Sequence, residues 1–389
     1  MKKVLVISPF FYPEPISTGK YNTYLVEQLV KQDCDVEVWC SHPIYPSWKV
    51  TPSDKQLAGV KICRGGRCNL YPKNPLLRRA VLEVWFLGFV MRKLLSSKEK
   101  FDYVIPIFPP SLAVCGLAVF KSKFGKVVGI VHDLQGVYAE KSNSLIKSIV
   151  FKVISGVEKR AFHICDHLIY LSEGMKSTAN EAYTLNSDLT SVQYPFVTIQ
   201  NFKNNGRLDS VFRGAQKTLV YSGALGEKQN VQGLIELFEA VKKLDPSIST
   251  FVFSQGPIFE SVKKKHRNVG INFFDLVDES DLGELLVRST LQFVPQVAGS
   301  SNGSLPSKLP NLLAAGGGVF CITDPGSELI NILSAYPKGH VATDWDTDLN
   351  AKRIVEIMNE KEHVEENNEL MRKFSLEGLV DKVLSIGER

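Results

Sequence analysis

Two apolar runs that enclose a loop and a short helix constrain the fold more than any other part of the sequence. Residues 291–295 and 319–323 are apolar and rich in β-branched or aromatic side chains. This pattern is typical of strands that are buried on both faces of a parallel sheet. Between the two runs, the residues predict a short helix from about Ser307 to Ala315, which ends at three glycines. A strand, a helix and a second strand in this order predict an α/β protein.

The loop before this helix is a candidate anion site. It is rich in Gly and Ser, Ser304 and Ser307 are both suitable N-caps, and Lys308 adds a cation to the predicted first turn. The free N–H groups and the dipole at a helix N-terminus favour negative charge. The same residues are equally compatible with a solvated loop and a capped helix.

Two series of strand, Gly-containing loop and helix run along the chain. The first begins with a strand at residues 4–7 and a helix at residues 21–31, and the second begins with a strand at residues 218–222. A chain of 389 residues is too long for one ordinary domain and suits two. We therefore predict two Rossmann-like domains that face a central cleft, at residues 1–195 and 196–370. A C-terminal helix at residues 371–389 is expected to pack back toward the first domain.

The loop after the first strand differs from a dinucleotide-binding loop. It contains one glycine, Gly19, whereas that motif needs three. Gly19 and the neighbouring Lys20 remain candidates for contact with a phosphate or a sugar hydroxyl.

Charge is distributed unevenly between the two halves of the chain. Residues 1–195 contain 25 basic and 16 acidic side chains, whereas the remaining residues contain 21 basic and 25 acidic ones. The basic half suggests an anionic partner, such as a membrane surface, a phosphorylated acceptor or a nucleic acid. An ordinary solvated surface is the other interpretation.

The cysteines and the N-terminal residues give information about the cellular compartment of the protein. Seven cysteines without a C-x-x-C pair argue against a structural zinc site and fit a reducing compartment. The apolar run at residues 4–7 is too short for a signal peptide, and no run of about 18 apolar residues predicts a membrane-spanning helix. We therefore expect a cytoplasmic protein.

Two segments of the basic half combine apolar and basic side chains. Residues 75–96 predict a long apolar helix with basic ends, and residues 141–160 hold a similar mixture. Either segment is able to lie on an anionic membrane surface. Each is equally able to cover a sheet with its apolar face.

A histidine and an aspartate follow one of the predicted strands. His132 and Asp133 come directly after the apolar run at residues 127–131. Ligands of doubly wound sheets gather at the carboxyl ends of the strands, which makes the pair a candidate for the catalytic site. A satisfied structural histidine is the more common case.

Four places in the sequence together resemble the family-4 glycosyltransferases of the GT-B fold. The resemblance extends over nearly the whole chain and is strongest to the branch that builds bacterial surface polysaccharides such as colanic acid. The four places are Tyr12-Pro13-Glu14 with Gly19-Lys20-Tyr21, then Val131-His132-Asp133, then residues 221–230 (Tyr-Ser-Gly-Ala-Leu-Gly-Glu-Lys-Gln-Asn), and last residues 305–316 (Leu-Pro-Ser-Lys-Leu-Pro-Asn-Leu-Leu-Ala-Ala-Gly).

The resemblance implies a retaining glycosyltransferase that needs no metal ion and no cofactor besides its substrate. It implies that a sugar of the hexose class is transferred from a UDP- or GDP-linked donor to a glycan acceptor, one linked to polyprenyl diphosphate in particular. The acceptor would bind the N-terminal domain and the donor the C-terminal one, with peripheral attachment to the inner face of the plasma membrane and no nucleic-acid partner.

The resemblance also assigns residues to the two substrates. His132 and Asp133 are the catalytic candidates. The candidates for donor binding are Gly19, Lys20, Gly223, Lys228, Phe274, Ser304, Ser307, Lys308 and Asn311.

The chain departs from the family at three positions. Ser304 and Asn311 stand where many members carry glutamates, and Ala224 stands where many carry an arginine. Two alternatives therefore stay open, namely a nucleotide-sugar epimerase of similar shape and a catalytically silent scaffold that binds nucleotide sugars. Neither the nucleotide base nor the linkage position follows from the sequence.

Overall fold

The chain forms two compact units, each built on one parallel sheet. In a computed structural model, residues 1–137, 145–226, 229–266, 269–299, 305–360 and 368–386 are described, apart from the side chains at 145–148 and 368. The first unit comprises Met1–Tyr194 together with Ser375–Arg389, and the second comprises Pro195–Phe374.

The first unit contains seven strands. They are β1 (Lys3–Ile7), β2 (Asp35–Ser41), β3 (Val60–Gly65), β4 (Phe101–Phe108), β5 (Phe124–Val131), β6 (His167–Tyr170) and β7 (Thr190–Val192). Their order in the sheet is β3-β2-β1-β4-β5-β6-β7, and every pair of neighbours is parallel. Strand β1 lies in the interior of the sheet between β2 and β4, where its apolar residues are buried from both faces.

Helices cover this sheet. They are α1 (Ser17–Lys31), α2 (Pro75–Ser96), α3 (Leu112–Cys115), α4 (Leu145–Ile164) and α5 (Glu173–Tyr183), with 3-10 turns at Gly116–Lys123 and Ser187–Leu189. Helix α2 has the predicted bounds, because Pro75 suits the first turn and the Asn74 side chain accepts from the N–H groups of Leu76 and Leu77.

The second unit contains six strands in the doubly wound order β10-β9-β8-β11-β12-β13, again all parallel. They are β8 (Thr218–Ser222), β9 (Ser249–Ser254), β10 (Ile271–Asp275), β11 (Leu291–Pro295), β12 (Gly318–Ile322) and β13 (Gly339–Ala342). The predicted α/β architecture with two Rossmann-like domains is thus confirmed.

The helices of the second unit alternate with these strands along the chain or follow the last of them. They are α6 (Asp209–Phe212), α7 (Val231–Leu244), α8 (Pro257–Lys265), α9 (Leu282–Val287), α10 (Leu309–Ala314), α11 (Glu328–Ser334), α12 (Thr347–Asn359) and α13 (Asn368–Arg372), with a 3-10 turn at Glu279–Asp281.

The last helix, α14 (Leu376–Ser385), belongs to the first unit. It buries Leu379, Val380 and Val383. The hydroxyl of Tyr103 on β4 donates to its Leu384 carbonyl at 2.8 Å.

Two predicted helix starts are wrong. Helix α10 begins at Leu309 rather than Ser307, because the Leu309 N–H closes a preceding turn onto the Pro306 carbonyl at 2.9 Å. Lys308 is its N-cap residue and gives no side-chain cap, so Ser307 does not cap the helix, and Ser304 lies outside the described residues. Helix α1 begins at Ser17, so Gly19 and Lys20 lie in its first turns and not in a loop.

Candidate active site

A pocket of about 440 Å³ lies in the second unit, where the carboxyl end of β8 and the residues after β10 meet α9 and the start of α10. Strand β8 and its neighbour β11, which precedes α10, flank the point where the strand order reverses, and doubly wound sheets bind ligands at this point. The polar residues that line the pocket are Ser222, Gln229, Ser307, Lys308 and Asn311, and its apolar wall includes Leu276, Leu282, Leu286 and Leu312.

Lys308 supplies the positive charge of this pocket. Its ammonium nitrogen donates a hydrogen bond to the Ser222 carbonyl at 3.1 Å and lies 4.4 Å from the centroid of the Tyr221 ring. Burial lowers the pKa of Lys308 to about 8, since a low-dielectric environment disfavours the charged form. Among the described residues no carboxylate forms an ion pair with Lys308. The cation is therefore available to an anionic ligand.

Gly223 brings backbone close to this cation. Its φ is +146°, a conformation that side chains rarely adopt, and its N–H donates to the Phe253 carbonyl at 3.0 Å. A Cβ at this position would lie 3.9 Å from the Lys308 ammonium nitrogen. Gly223 thus lines the pocket beside Lys308.

Asn311 is held by its own unit. Its side-chain oxygen accepts from the N–H groups of Thr198 and Ile199 at 2.9 and 3.3 Å, and its side-chain nitrogen donates to the Thr198 hydroxyl at 3.0 Å. The amide lines the pocket, but these bonds direct it toward the segment after Pro195.

The other predicted donor contacts have different environments. Ser307 is exposed and lines the pocket. Phe274 is not part of the pocket lining, because its ring stacks on Phe253 with centroids 5.5 Å apart. Lys228 and Ser304 lie outside the described residues.

Sequence reasoning missed Tyr221. Its ring lies beneath the Lys308 ammonium, and its hydroxyl donates to the Ala224 carbonyl at 2.6 Å. Burial raises the pKa of Tyr221, so it stays a neutral donor. Tyr221 is the penultimate residue of an apolar strand, a position that predicts a core side chain. Only its contact with Lys308 indicates a second role.

In the first unit, His132 directly follows β5. Its N–H donates to the Phe108 carbonyl at 3.0 Å, and its ring meets the edge of Tyr21 with centroids 6.2 Å apart. Burial lowers the pKa of His132 to about 4, so the imidazole is neutral at pH 7. A neutral ring positions a ligand by hydrogen bonding and not by charge.

Asp133 is exposed, and a buried carboxylate fixes the loop that follows it. Glu158 accepts from the N–H groups of Gln135 and Gly136 at 3.1 and 2.9 Å, and from the Tyr183 hydroxyl. These bonds hold the backbone at residues 135 and 136 in place.

Gly19 and Lys20 lie on α1 next to Tyr21, and thus on the same helix that contacts His132. A Cβ at Gly19 would lie 2.9 Å from the Glu14 Cβ and 3.0 Å from the Glu14 carbonyl, so the glycine allows a close approach. The buried Glu14 carboxylate accepts from the N–H groups of Ile44 and Tyr45, and burial raises its pKa. Glu14, which was not predicted as a site residue, joins the loops after β1 and β2.

Metal-binding side chains do not gather in the described ranges. His, Cys, Asp and Glu form no group of three or more there that is able to hold a metal ion. Metal independence of the reaction stays a prediction.

Comparison with known proteins agrees with the family resemblance. Residues 18–201 match the family described as Glycosyltransferase Family 4. This part of the chain is similar to that family's domain. It includes α1 with Gly19 and Lys20, and the β5 end with His132 and Asp133.

Three individual proteins extend the likeness beyond this domain. The Escherichia coli (strain K12) protein WcaI, named as a colanic acid biosynthesis glycosyl transferase, is 24% identical over 86% of this chain and 86% of its own length. The structure of WaaG, a glycosyltransferase involved in lipopolysaccharide biosynthesis, has a TM-score of 0.63 at 14% identity and covers 99% of this chain and 97% of that one. Anabaena HepE in complex with UDP and glucose has a TM-score of 0.57 at 11% identity, with 100% and 98% coverage.

These likenesses agree on the fold. Together with the two parallel sheets, they show the GT-B fold. None of the described helices combines the length and the apolar character needed to cross a membrane.

Proposed function

We propose that this chain is a retaining glycosyltransferase that moves a hexose from a UDP- or GDP-linked donor to a lipid-linked glycan in cell-surface polysaccharide synthesis. The names of WcaI and WaaG support the polysaccharide context. The UDP and glucose bound by HepE support a nucleotide-sugar donor. Neither a metal ion nor a further cofactor is part of the proposal.

The main observation behind this proposal is the Lys308 ammonium in a pocket between the end of β8 and the start of α10. As the donor reacts, the bond between the anomeric carbon and the diphosphate oxygen breaks and the diphosphate takes the electron pair. A preorganised cation stabilises this developing charge without reorganising at the moment of reaction. Lys228 is assigned to the same diphosphate, and Gly223, whose N–H already donates to the Phe253 carbonyl, gives it room by lacking a side chain.

The residues of the first unit are assigned to the sugar and the acceptor. The neutral imidazole of His132 orients the sugar for attack on the face that the diphosphate leaves. Asp133 takes the proton of the attacking hydroxyl. Both assignments rest on their position after β5, at the carboxyl edge of the first sheet.

Peripheral attachment to an anionic membrane is part of the proposal, because the acceptor lipid is found there. Its basis is the excess of positive charge in residues 1–195 and the large apolar side chains exposed on α2 and α4. Co-sedimentation with vesicles that contain an anionic lipid should fall as salt rises. Equal binding to neutral and anionic vesicles would contradict the attachment.

A panel of nucleotide sugars tests the function directly. The full-length protein is incubated with each donor and with lipid extract, and the products are analysed by mass spectrometry and NMR. Transfer with the anomeric configuration of the donor supports the proposal, and an inverted product overturns the retaining mechanism. Conversion of one nucleotide sugar into its epimer would identify an epimerase, and binding without turnover would identify a silent scaffold.

A further inference from the structure

Two short helices of the second unit contribute side chains to the pocket of about 440 Å³, and one further segment contacts both of them. Helix α9 contributes Leu282 and Leu286 to the apolar wall, and α10 contributes the amide of Asn311. The further segment, residues 197–208, belongs to the same unit and is called the connecting segment below. Its contacts determine how the two helices are placed in the pocket.

The connecting segment is bonded to α10 through Asn311. The N–H groups of Thr198 and Ile199 donate to the Asn311 side-chain oxygen at 2.9 and 3.3 Å, and the Asn311 side-chain nitrogen donates to the Thr198 hydroxyl at 3.0 Å. Lys308 is the N-cap residue of this helix. The three bonds therefore fix the connecting segment relative to the helix that begins beside the cation of the pocket.

The connecting segment also contacts α9, through two adjacent buried residues, Gly283 and Glu284. A Cβ at Gly283 would lie 1.9 Å from the Asn201 carbonyl oxygen, so only a glycine fits this contact. The two Glu284 carboxylate oxygens accept from the N–H groups of Arg207 and Leu208, each at 3.2 Å. Neither Gly283 nor Glu284 lines the pocket, whereas Leu282 and Leu286 of the same helix do.

We propose that Gly283 and Glu284 are positioning residues for the donor, because they fix the apolar α9 wall relative to the Lys308 ammonium through the connecting segment. The inference rests on the proposed function, in which Lys308 binds the diphosphate and the apolar wall is left for the nucleoside. A ligand that contacts both parts gains from both only when their separation fits it. Changes at the two residues therefore affect a nucleoside diphosphate and spare a ligand that contacts the cation alone.

Calorimetric titration of the full-length protein with UDP, GDP and inorganic pyrophosphate tests this difference. The two nucleotides are able to contact the wall and the cation, whereas pyrophosphate contacts the cation alone. Gly283→Ala should weaken the tighter-binding nucleotide about tenfold or more, because a displaced wall no longer covers the nucleoside. The same variant should change pyrophosphate affinity by less than about twofold, since the place of Lys308 is unchanged.

A second variant and two controls accompany Gly283→Ala. Glu284→Gln keeps the size of the side chain and removes one of the two acceptors, so it should cause a smaller loss of the same selectivity. Val287→Ala changes a 38% exposed residue of α9 that lies outside the pocket lining. Gly88→Ala adds a Cβ on α2 that would meet no heavy atom within 4 Å. Both controls should keep the parental affinity for all three ligands.

Urea unfolding shows which variants are folded at the temperature of the titration. If Gly283→Ala does not fold, the comparison between nucleotide and pyrophosphate in Glu284→Gln decides the question. Parental nucleotide affinity in the folded variants would overturn the positioning role. An equal loss for nucleotide and pyrophosphate would overturn it as well, because the whole pocket and not the α9 wall would then be disturbed.

The donor panel separates this inference from the proposed function. Selective loss of nucleotide binding in Gly283→Ala, without sugar transfer by the parental protein from any donor, would refute the function while the positioning role stands. Sugar transfer by Gly283→Ala with the parental donor KM would overturn the positioning role while the function stands. A parental protein that binds neither nucleotide would overturn both.

Discussion

The ammonium nitrogen of Lys308 lies 4.4 Å from the centroid of the Tyr221 ring. The two residues come from different elements, since Tyr221 is on β8 and Lys308 is the N-cap residue of α10. An aromatic face and one carbonyl oxygen orient the cation but leave its charge largely uncompensated. The pocket is thus prepared for an anion, and the following predictions depend on that property.

Removal of the Lys308 charge should weaken binding of the nucleoside diphosphate. Lys308→Ala is expected to cost about 1.5–3 kcal/mol of binding free energy, the range for hydrogen bonds to charged groups. Calorimetric titration with UDP and GDP measures the change. Lys352→Ala, an exposed lysine on α12 of the same unit, is the matched control and should retain parental affinity.

Binding of the diphosphate should take up a proton near pH 8. Because the pKa of Lys308 is about 8 without ligand, roughly half of the molecules carry a neutral amine at that pH. The anion raises this pKa, so binding adds a proton, and affinity falls as pH rises above 8. Titrations in buffers of different ionisation enthalpy count the protons. The same buffer dependence in Lys308→Ala would assign the uptake to another group.

His132→Ala should slow turnover by about 100-fold or more, the scale of a lost positioning contact. Nucleoside diphosphate affinity should change little, because Lys308 and Gly223 belong to the second unit. Since the pKa of His132 is about 4, its titration should not appear in the rate profile between pH 6 and 8. The exposed His163→Ala serves as the control, and parental turnover in His132→Ala would make His132 a structural residue.

Asn311→Ala should lower the free energy of unfolding by about 1–3 kcal/mol, since it leaves the N–H groups of Thr198 and Ile199 without their acceptor. Urea unfolding measures this loss. The exposed Asn331→Ala on α11 should be nearly neutral. A fully stable Asn311→Ala variant with weakened donor binding would instead favour the ligand role that the family resemblance implies.

Local patterns in the sequence predicted most of the fold but only part of the site. The strands at residues 291–295 and 218–222 have the predicted bounds, because buried parallel strands are continuous apolar runs. Strand β7 was missed, because three residues carry too little pattern. The predicted starts of α1 and α10 were wrong, because backbone hydrogen bonds to preceding carbonyls determine where these helices begin.

The contacts within the site depend on tertiary structure that no local pattern encodes. The sequence identified Lys308 as a cation near a loop, but its place above Tyr221 arises only when β8 and β11 pair. Phe274 was assigned to the donor from the family resemblance, yet it lies on β10 and its ring belongs to an aromatic stack with Phe253.

Release of nucleoside diphosphate by the parental protein and by Lys308→Ala, over a panel of UDP- and GDP-linked sugars with and without lipid acceptor, tests the central claim most directly. We predict that at least one donor releases its diphosphate only when acceptor is present, and that Lys308→Ala loses most of this activity while Lys352→Ala keeps it. Release at the parental rate in Lys308→Ala, or no release from any donor, would contradict a sugar transfer centred on this pocket.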